Sequence, residues 1–295
     1  MQVGILIKIV LPLALFIIML GMGFSLTTED FKRILKQPRA VMVGVFCQML
    51  LLPIIAYLVI VAFNPPPVLG VGLMILSFCP GGTTSNMISY LAKADLALSV
   101  TLTAIVSILT PLTIPFLTKL TFISLMGNEQ AFELPIISTM LKLFAITVLP
   151  VGIGMLVNKK FPNFAQSTET PIKFLSLAFL FIVIAGIAKQ NWANLPDFFR
   201  QIGPAALVLN VTTMILGFLI AKKFKLSHKQ GMTIGIEVGI QNGTTALLVT
   251  GTILANAQLS IAPSIYSLLM FATGGLFAVV MNIMPAAKEL KTRVA

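Results

Sequence analysis

Ionisable residues are scarce in this chain of 295 residues. Only 10% of the residues are charged, and they comprise 20 bases and nine acids, with a single histidine besides. With 57% hydrophobic residues and a mean hydropathy of +1.01, the chain carries more apolar surface than a water-soluble fold can bury. The sequence therefore predicts an all-α polytopic membrane protein.

The few cysteine, histidine and basic residues argue against several other classes. Cys47 and Cys79 lie inside apolar segments, where a thiol behaves as a small hydrophobic group, so neither a disulfide framework nor a cysteine metal site is expected. His228 falls at the end of an apolar segment and is not a site candidate. The net charge of +11 comes from bases scattered between apolar runs, a topology pattern that does not indicate nucleic-acid binding.

Nine apolar stretches are near the length of about 20 residues that a membrane helix needs. They cover residues 5–25, 39–62, 68–93, 95–118, 136–157, 171–189, 203–222, 228–255 and 261–284. A cleaved signal peptide is the alternative for the first stretch, which we interpret as a helix. With nine crossings, 15 of the 20 basic residues lie on the same side of the membrane as the C-terminus. Because basic residues favour the cytoplasmic side, the N-terminus is expected outside and the C-terminus in the cytoplasm.

The two halves of the chain resemble each other. Asp30 follows the first stretch and Asp197 follows the sixth, each opening an Asp-Phe motif and each followed by a proline. Two stretches later, both halves reach a polar, glycine-rich interruption, at residues 79–86 and 237–244. Five crossings separate equivalent helices, so the copies run in opposite directions. The pattern predicts an inverted repeat with two broken, crossing helices at a midplane site, although a short echo alone can arise by chance.

Glu237 is the only acid that falls deep inside an apolar stretch. A carboxylate at the bilayer centre costs about 2.5–3.5 kcal/mol, so it requires a partner. No Lys or Arg lies at that depth, whereas Asn, Gln and Thr nearby supply oxygen ligands. The sequence therefore predicts a hard cation at Glu237. Gln48 is a further candidate, since an unpartnered amide in hydrocarbon is costly.

Three local patterns surround this acid. Pro80, Gly81 and Gly82 predict a helix break whose freed carbonyls and amides are ready ligands for a cation and an anion. Ser99, Thr103 and Ser107 place three hydroxyls on one helix face, and for Ser107 a bond to its own i−4 carbonyl is the expectation. Glycines at every fourth position from 231 to 243 predict close approach of another backbone, expected to be that of the other broken helix.

Three strings resemble the bile acid:sodium symporter family, and the resemblance runs from about residue 15 to about residue 285. The strings are Gly21-Met22-Gly23-Phe24-Ser25-Leu26 with Asp30-Phe31, Cys79-Pro80-Gly81-Gly82-Thr83-Thr84-Ser85-Asn86, and Glu237-Val238-Gly239-Ile240-Gln241-Asn242. The resemblance implies one transporter domain over residues 1–295, with the first helix of the family's ten-helix fold absent. It implies a core at residues 39–118 and 203–285 and a panel at residues 5–25 and 136–190.

The same resemblance implies two sodium sites and a substrate site. The first sodium site would use Ser85, Asn86, Ser99, Thr103 and Glu237. The second would use Gln48, Glu237, Gln241 and the carbonyls of Val238 and Ile240. Thr83 and Asn242 would contact an organic anion.

Together these features predict a sodium-coupled symporter that imports an organic anion by alternating access. A bile acid or a small carboxylate such as pantoate is the expected substrate, and a monomer in the lipid bilayer of a bacterial inner membrane is the expected form. The alternative is a proton-coupled carrier with Glu237 as the proton site. An intramembrane hydrolase would need a catalytic pair, which the lone deep acid does not provide, so an enzyme is not expected. A sensor that binds ligand without transporting it is compatible with the same residues.

Overall fold

The computed structural model describes the backbone of residues 10–127 and 135–294, and all of their side chains except those of residues 169 and 284–294. Within this part of the chain every regular element is helical, which confirms the predicted all-α architecture. The first five residues of the first predicted span, residues 5–9, lie outside the described residues.

Twelve helices follow one another along the described chain. They are α1 (Leu11–Phe24), α2 (Thr28–Lys36), α3 (Pro38–Phe63), α4 (Pro67–Ser77), α5 (Thr83–Leu91), α6 (Leu96–Met126), α7 (Ile136–Lys160), α8 (Pro162–Gln190), α9 (Leu195–Lys223), α10 (His228–Gly239), α11 (Gly243–Leu247) and α12 (Ile261–Val294). Single π-helical turns occur within α3 at Cys47–Leu51 and within α7 at Phe144–Val148, and a third, Leu248–Ile253, continues α11.

Six helices of the described ranges are long and apolar enough to cross a membrane, namely α3, α6, α7, α8, α9 and α12. A seventh results if α1 and α2, which meet at a bend of 65°, form one span. Nine stretches were predicted, and the count differs because two of them are divided. Helix α4 has 11 residues and α10 has 12, about half the length that a crossing needs. A multi-pass membrane protein follows from these helices, while nine crossings stay a prediction.

The helices pack in two groups. Helices α1, α7 and α8 contact one another, and α9 packs along α10 and α12 while α4 packs against α6 and α12. Small residues allow the closest approach in the first group, because a Cβ on Gly23 would lie 2.9 Å from the Cα of Gly154. Contacts between α6 and α7 join the two groups.

The glycines of α10 do admit another backbone, but it is not that of the other broken helix. A Cβ on Gly235 would lie 2.7 Å from the carbonyl oxygen of Met214, and a Cβ on Gly217 would lie 3.2 Å from the Cα of Gly235. Both contacts join α10 to α9. The expectation about the partner was therefore wrong, because the glycine face of α10 is opposite the face that carries Glu237, which is turned towards α6.

Candidate functional site

Two helix interruptions meet in the interior. Helix α4 ends at Ser77 and α5 begins at Thr83, so the chain is not helical at the Pro-Gly-Gly segment between them. Proline has no N–H to donate, which favours a break there. The second interruption separates α10 from α11. The backbone N–H of Asn242, in that second interruption, donates to the carbonyl of Pro80 at 2.9 Å, so the two breaks are joined by a backbone hydrogen bond.

The start of α6 sets the register that brings hydroxyls to Glu237. Asp95 caps α6 through its side chain, and its carbonyl accepts a hydrogen bond from Thr233 Oγ1 at 3.0 Å on α10. Residues four apart lie on the same helix face. Ser99 and Thr103 therefore lie on the same face of α6 as Asp95, and Glu237 lies on the same face of α10 as Thr233. The two faces are turned towards each other.

The Glu237 carboxylate is only 3% exposed and is surrounded by neutral oxygens. Ser99 Oγ donates to one carboxylate oxygen, and Thr103 Oγ1 lies 2.9 Å from the other. The same two hydroxyls lie 2.8 Å and 3.3 Å from Asn86 Oδ1. Each hydroxyl has one proton and cannot donate to both acceptors at once. The cluster thus holds more acceptor oxygens than protons, an arrangement that suits a bound cation.

Gly81 makes room for this cluster at the first break. A Cβ on Gly81 would overlap the carboxylate of Glu237 and would lie 2.9 Å from Ser85 Oγ. Ser85, which is fully buried, also donates to the carbonyl of Gly82 at 2.8 Å. The structure therefore gathers all five side chains that the family resemblance assigned to a first cation site.

The residues assigned to a second cation site also lie together. Gln48 Nε2 donates to Gln241 Oε1 at 2.8 Å and to the carbonyl of Cys79 at 3.0 Å. Gln241 Nε2 donates in turn to the carbonyl of Val238 at 2.7 Å. Ile240 is fully buried and has extended backbone angles where α10 ends. Gln48 Oε1 has no hydrogen-bond partner among the described residues, which leaves one buried amide oxygen free for a ligand.

Gln48 also borders open space. It lines a cavity of about 410 Å³ together with Cys79, Phe116 and Met140, between α3, α6 and α7. The walls are largely apolar. The second group of residues is therefore next to a cavity, whereas the Glu237 carboxylate is enclosed.

Thr83 and Asn242 lie at the starts of the two second half-helices. Thr83 is the first residue of α5 and is partly exposed. Asn242 caps α11, because its Oδ1 accepts from the backbone N–H of Thr245 at 3.1 Å. A Cβ on Gly82, the residue before Thr83, would lie 3.2 Å from Asn242 Nδ2. The amide nitrogen of Asn242 is thus turned towards the first break, beside Thr83.

Ser107 does not make the bond to its own helix that the sequence suggested. Its buried Oγ has no hydrogen-bond partner in the described part of the chain, and the same holds for Oγ1 of Thr245. Both residues line a small cavity of about 10 Å³, space for about one water molecule, with Met19 and Leu143 on the opposite wall. Two unpaired hydroxyls therefore face the boundary between the two helix groups.

Asn210 and Tyr266 were not among the residues that the sequence singled out. Both are fully buried, and both bond the carbonyl of Gly239 at the end of α10. Asn210 is the only amide in its apolar stretch, as Gln48 is in the second stretch. A single amide in an otherwise apolar stretch is the signal that could have identified Asn210.

Interrupted membrane helices that meet at a buried carboxylate are typical of ion-coupled secondary transporters, and the fold and site fit that class. The sequence matches the Sodium Bile acid symporter family over residues 12–198, and the chain belongs to that family. The family resemblance seen in the sequence is thereby confirmed.

Three relatives illustrate the range of similar proteins. An uncharacterized sodium-dependent transporter of Bacillus subtilis, YocS, is 31% identical over 89% of this chain and 79% of its own length. The ileal sodium/bile acid cotransporter of Homo sapiens is 28% identical over 93% of this chain and 79% of its own. A probable sodium/metabolite cotransporter of rice chloroplasts, BASS2, is 28% identical over 88% of this chain and 60% of its own.

Proposed function

We propose that the protein is a sodium-coupled symporter of an organic anion that works by alternating access. The observation that carries this proposal is the enclosed Glu237 carboxylate, whose surrounding hydroxyl and amide oxygens outnumber the available protons. Sodium is a hard cation that prefers such oxygen ligands. The names of the relatives, which are sodium-dependent transporters or cotransporters, support the same ion.

Two sodium ions are proposed. The first would bind among Glu237, Asn86, Ser85, Ser99 and Thr103. The second would bind between Gln48 and the end of α10, with Glu237 shared by both. For the second ion, the Gln241 amide would have to turn its oxygen towards the site, because its nitrogen now donates to the carbonyl of Val238.

The substrate is proposed to bind where the two breaks meet the cleft between the helix groups. The amide of Asn242 and the hydroxyl of Thr83 lie beside the N-terminal end of α5, where free backbone amides and the helix dipole favour an anion. The unpaired hydroxyls of Ser107 and Thr245 face the same boundary. A bile acid or a small carboxylate such as pantoate fits these neutral hydrogen-bonding groups.

Transport would move one helix group relative to the other. The group of α1, α7 and α8 corresponds to the proposed panel, and the group that contains both breaks corresponds to the proposed core. The two breaks would then lie at equivalent positions of the two halves of the inverted repeat. The charge distribution supports a cytoplasmic C-terminus, and a bacterial inner membrane is proposed as the location.

Uptake into proteoliposomes tests the proposed function. Radiolabelled taurocholate and pantoate are offered under an inward sodium gradient, an inward proton gradient, or choline. Two sodium ions transported with a monoanion move one net positive charge. A tenfold sodium gradient supplies about 1.4 kcal/mol per ion, and a membrane potential of 100 mV supplies about 2.3 kcal/mol for the net charge. Together they supply about 5 kcal/mol. We expect sodium-driven uptake that an inside-negative potassium diffusion potential accelerates.

Each other result overturns a specific part of the proposal. Uptake driven by protons in the absence of sodium would make Glu237 a proton site. Initial rates that do not respond to the diffusion potential would contradict two sodium ions per monoanion. Sodium-dependent thermal stabilisation without uptake of either probe would indicate a sensor or a different anion.

Substitutions at the two breaks separate anion binding from sodium binding. Asn242→Ser keeps a side-chain oxygen that can cap α11 but removes the amide donor, and Thr83→Val removes a hydroxyl at nearly constant volume. Each loses one hydrogen bond to a charged group, worth about 1.5–3 kcal/mol, so we expect the KM for the transported anion to rise by about tenfold or more. Sodium should still stabilise both variants against heat.

The matched control is Thr273→Val, because the Thr273 hydroxyl bonds the carbonyl of Leu269 in its own helix. Its KM should stay at the wild-type value. If Asn242→Ser and Thr83→Val lose the sodium-dependent stabilisation instead, the two residues belong to the ion sites.

A further inference from the structure

Both helix breaks are held by the same device, a buried amide from the preceding long helix. At the first break, Gln48 of α3 donates to the carbonyl of Cys79 at 3.0 Å. At the second, Asn210 of α9 donates to the carbonyl of Gly239 at 2.7 Å. Each amide leaves its own oxygen without a hydrogen-bond partner among the described residues.

The carbonyl of Gly239 needs an outside donor because the helix stops there. In a continuous helix this carbonyl would accept the N–H of Gly243. That N–H donates instead to the carbonyl of Gln241 at 3.0 Å. Tyr266 Oη supplies a second donor to Gly239 at 2.8 Å, and Asn210 Nδ2 also contacts Tyr266 Oη at 3.1 Å. The two side chains therefore occupy both lone pairs of a carbonyl that the break would otherwise leave bare.

Gly239 lies immediately beside the proposed ion ligands. It is two residues from Glu237 and between Val238 and Ile240, whose carbonyls are proposed to bind the second sodium ion. The direction of one carbonyl constrains the two adjoining peptide planes. Asn210 Nδ2 and Tyr266 Oη both donate to the carbonyl of Gly239, so their effect on the ion passes through the backbone of residues 238–240.

We propose that Asn210 and Tyr266 are positioning residues for the sodium sites at the end of α10, an inference that rests on the proposed sodium-coupled function. An apolar side chain could fill the position of Asn210 without leaving a buried oxygen unpaired. What the amide adds is its hold on Gly239, which keeps the ligands on either side in the orientation that binds sodium.

Sodium-dependent thermal unfolding of the purified full-length protein tests the inference. Melting temperatures are measured against sodium concentration at constant ionic strength, with potassium as the replacement ion, and again with lithium. Tyr266→Phe removes only the hydroxyl. It should raise the sodium concentration for half-maximal stabilisation by about three- to tenfold, the equivalent of one hydrogen bond. Asn210→Leu should raise it further, and both variants should change the ratio of the sodium and lithium midpoints.

Tyr57→Phe is the matched control, because it removes the same atom from a partly exposed tyrosine whose hydroxyl is near Ser124. Its sodium midpoint should equal that of the wild type. A Tyr266→Phe variant that melts lower by the same amount in sodium and in potassium, with an unchanged midpoint, would overturn the positioning role. This result is available even if Asn210→Leu fails to fold. A wild-type protein that sodium does not stabilise would overturn the proposed function itself, and this inference with it.

Discussion

Replacing Glu237 with glutamine is expected to remove sodium coupling while leaving a folded protein. The carboxylate is the only acidic side chain among the proposed ligands of both ions, and removing one partner of a buried ion pair costs about 3–5 kcal/mol. Sodium affinity should fall by about a hundredfold or more. Sodium titration of the melting temperature and sodium-driven uptake both measure this loss.

The stability of the ion-free protein gives a second, independent signature. Without sodium, a buried carboxylate has only neutral partners, so its neutral amide analogue should melt at the same or a higher temperature in potassium. Glu29→Gln is the control, because Glu29 is exposed and pairs with Lys32 at 2.6 Å. A Glu237→Gln variant that remains sodium-coupled would show that another group anchors the ions.

The location of the site was readable from the sequence because the cost of burying polar groups in a membrane is high. Glu237 and Gln48 stand out in apolar stretches for that reason alone, and Pro80 marks the first break through its missing N–H. The structure brings all three to one place. Polar and charged side chains that are costly to bury in a membrane can therefore be recognised in a single sequence.

Contacts that depend on helix rotation were not readable in the same way. The glycines of α10 predict a close backbone neighbour but not which one, and α9 rather than α4 is that neighbour. A serine in a helix usually bonds its own backbone, so the unpaired hydroxyl of Ser107 becomes visible only when the surrounding helices are in place. Asn210 and Tyr266 meet across 56 positions of sequence, a pairing that no local pattern encodes.

Alanine at Gly81 should weaken sodium binding strongly, although less than the loss of the carboxylate does. The added Cβ would overlap the Glu237 carboxylate and crowd Ser85 Oγ at 2.9 Å. Overpacking in a close-packed interior costs about 1–3 kcal/mol, and here the carboxylate that must move is the proposed ion anchor. We expect the sodium midpoint for thermal stabilisation to rise by about tenfold or more.

The neighbouring glycine provides the contrast that makes this result specific. A Cβ on Gly82 would lie 3.2 Å from Asn242 Nδ2, which is a tight contact. This contact is on the side of the break where the substrate is proposed to bind. Gly82→Ala should therefore raise the KM for the anion and leave the sodium midpoint near the wild-type value. If both alanines shift the sodium midpoint equally, the break responds as a single unit, and the division between an ion side at Gly81 and an anion side at Gly82 is wrong.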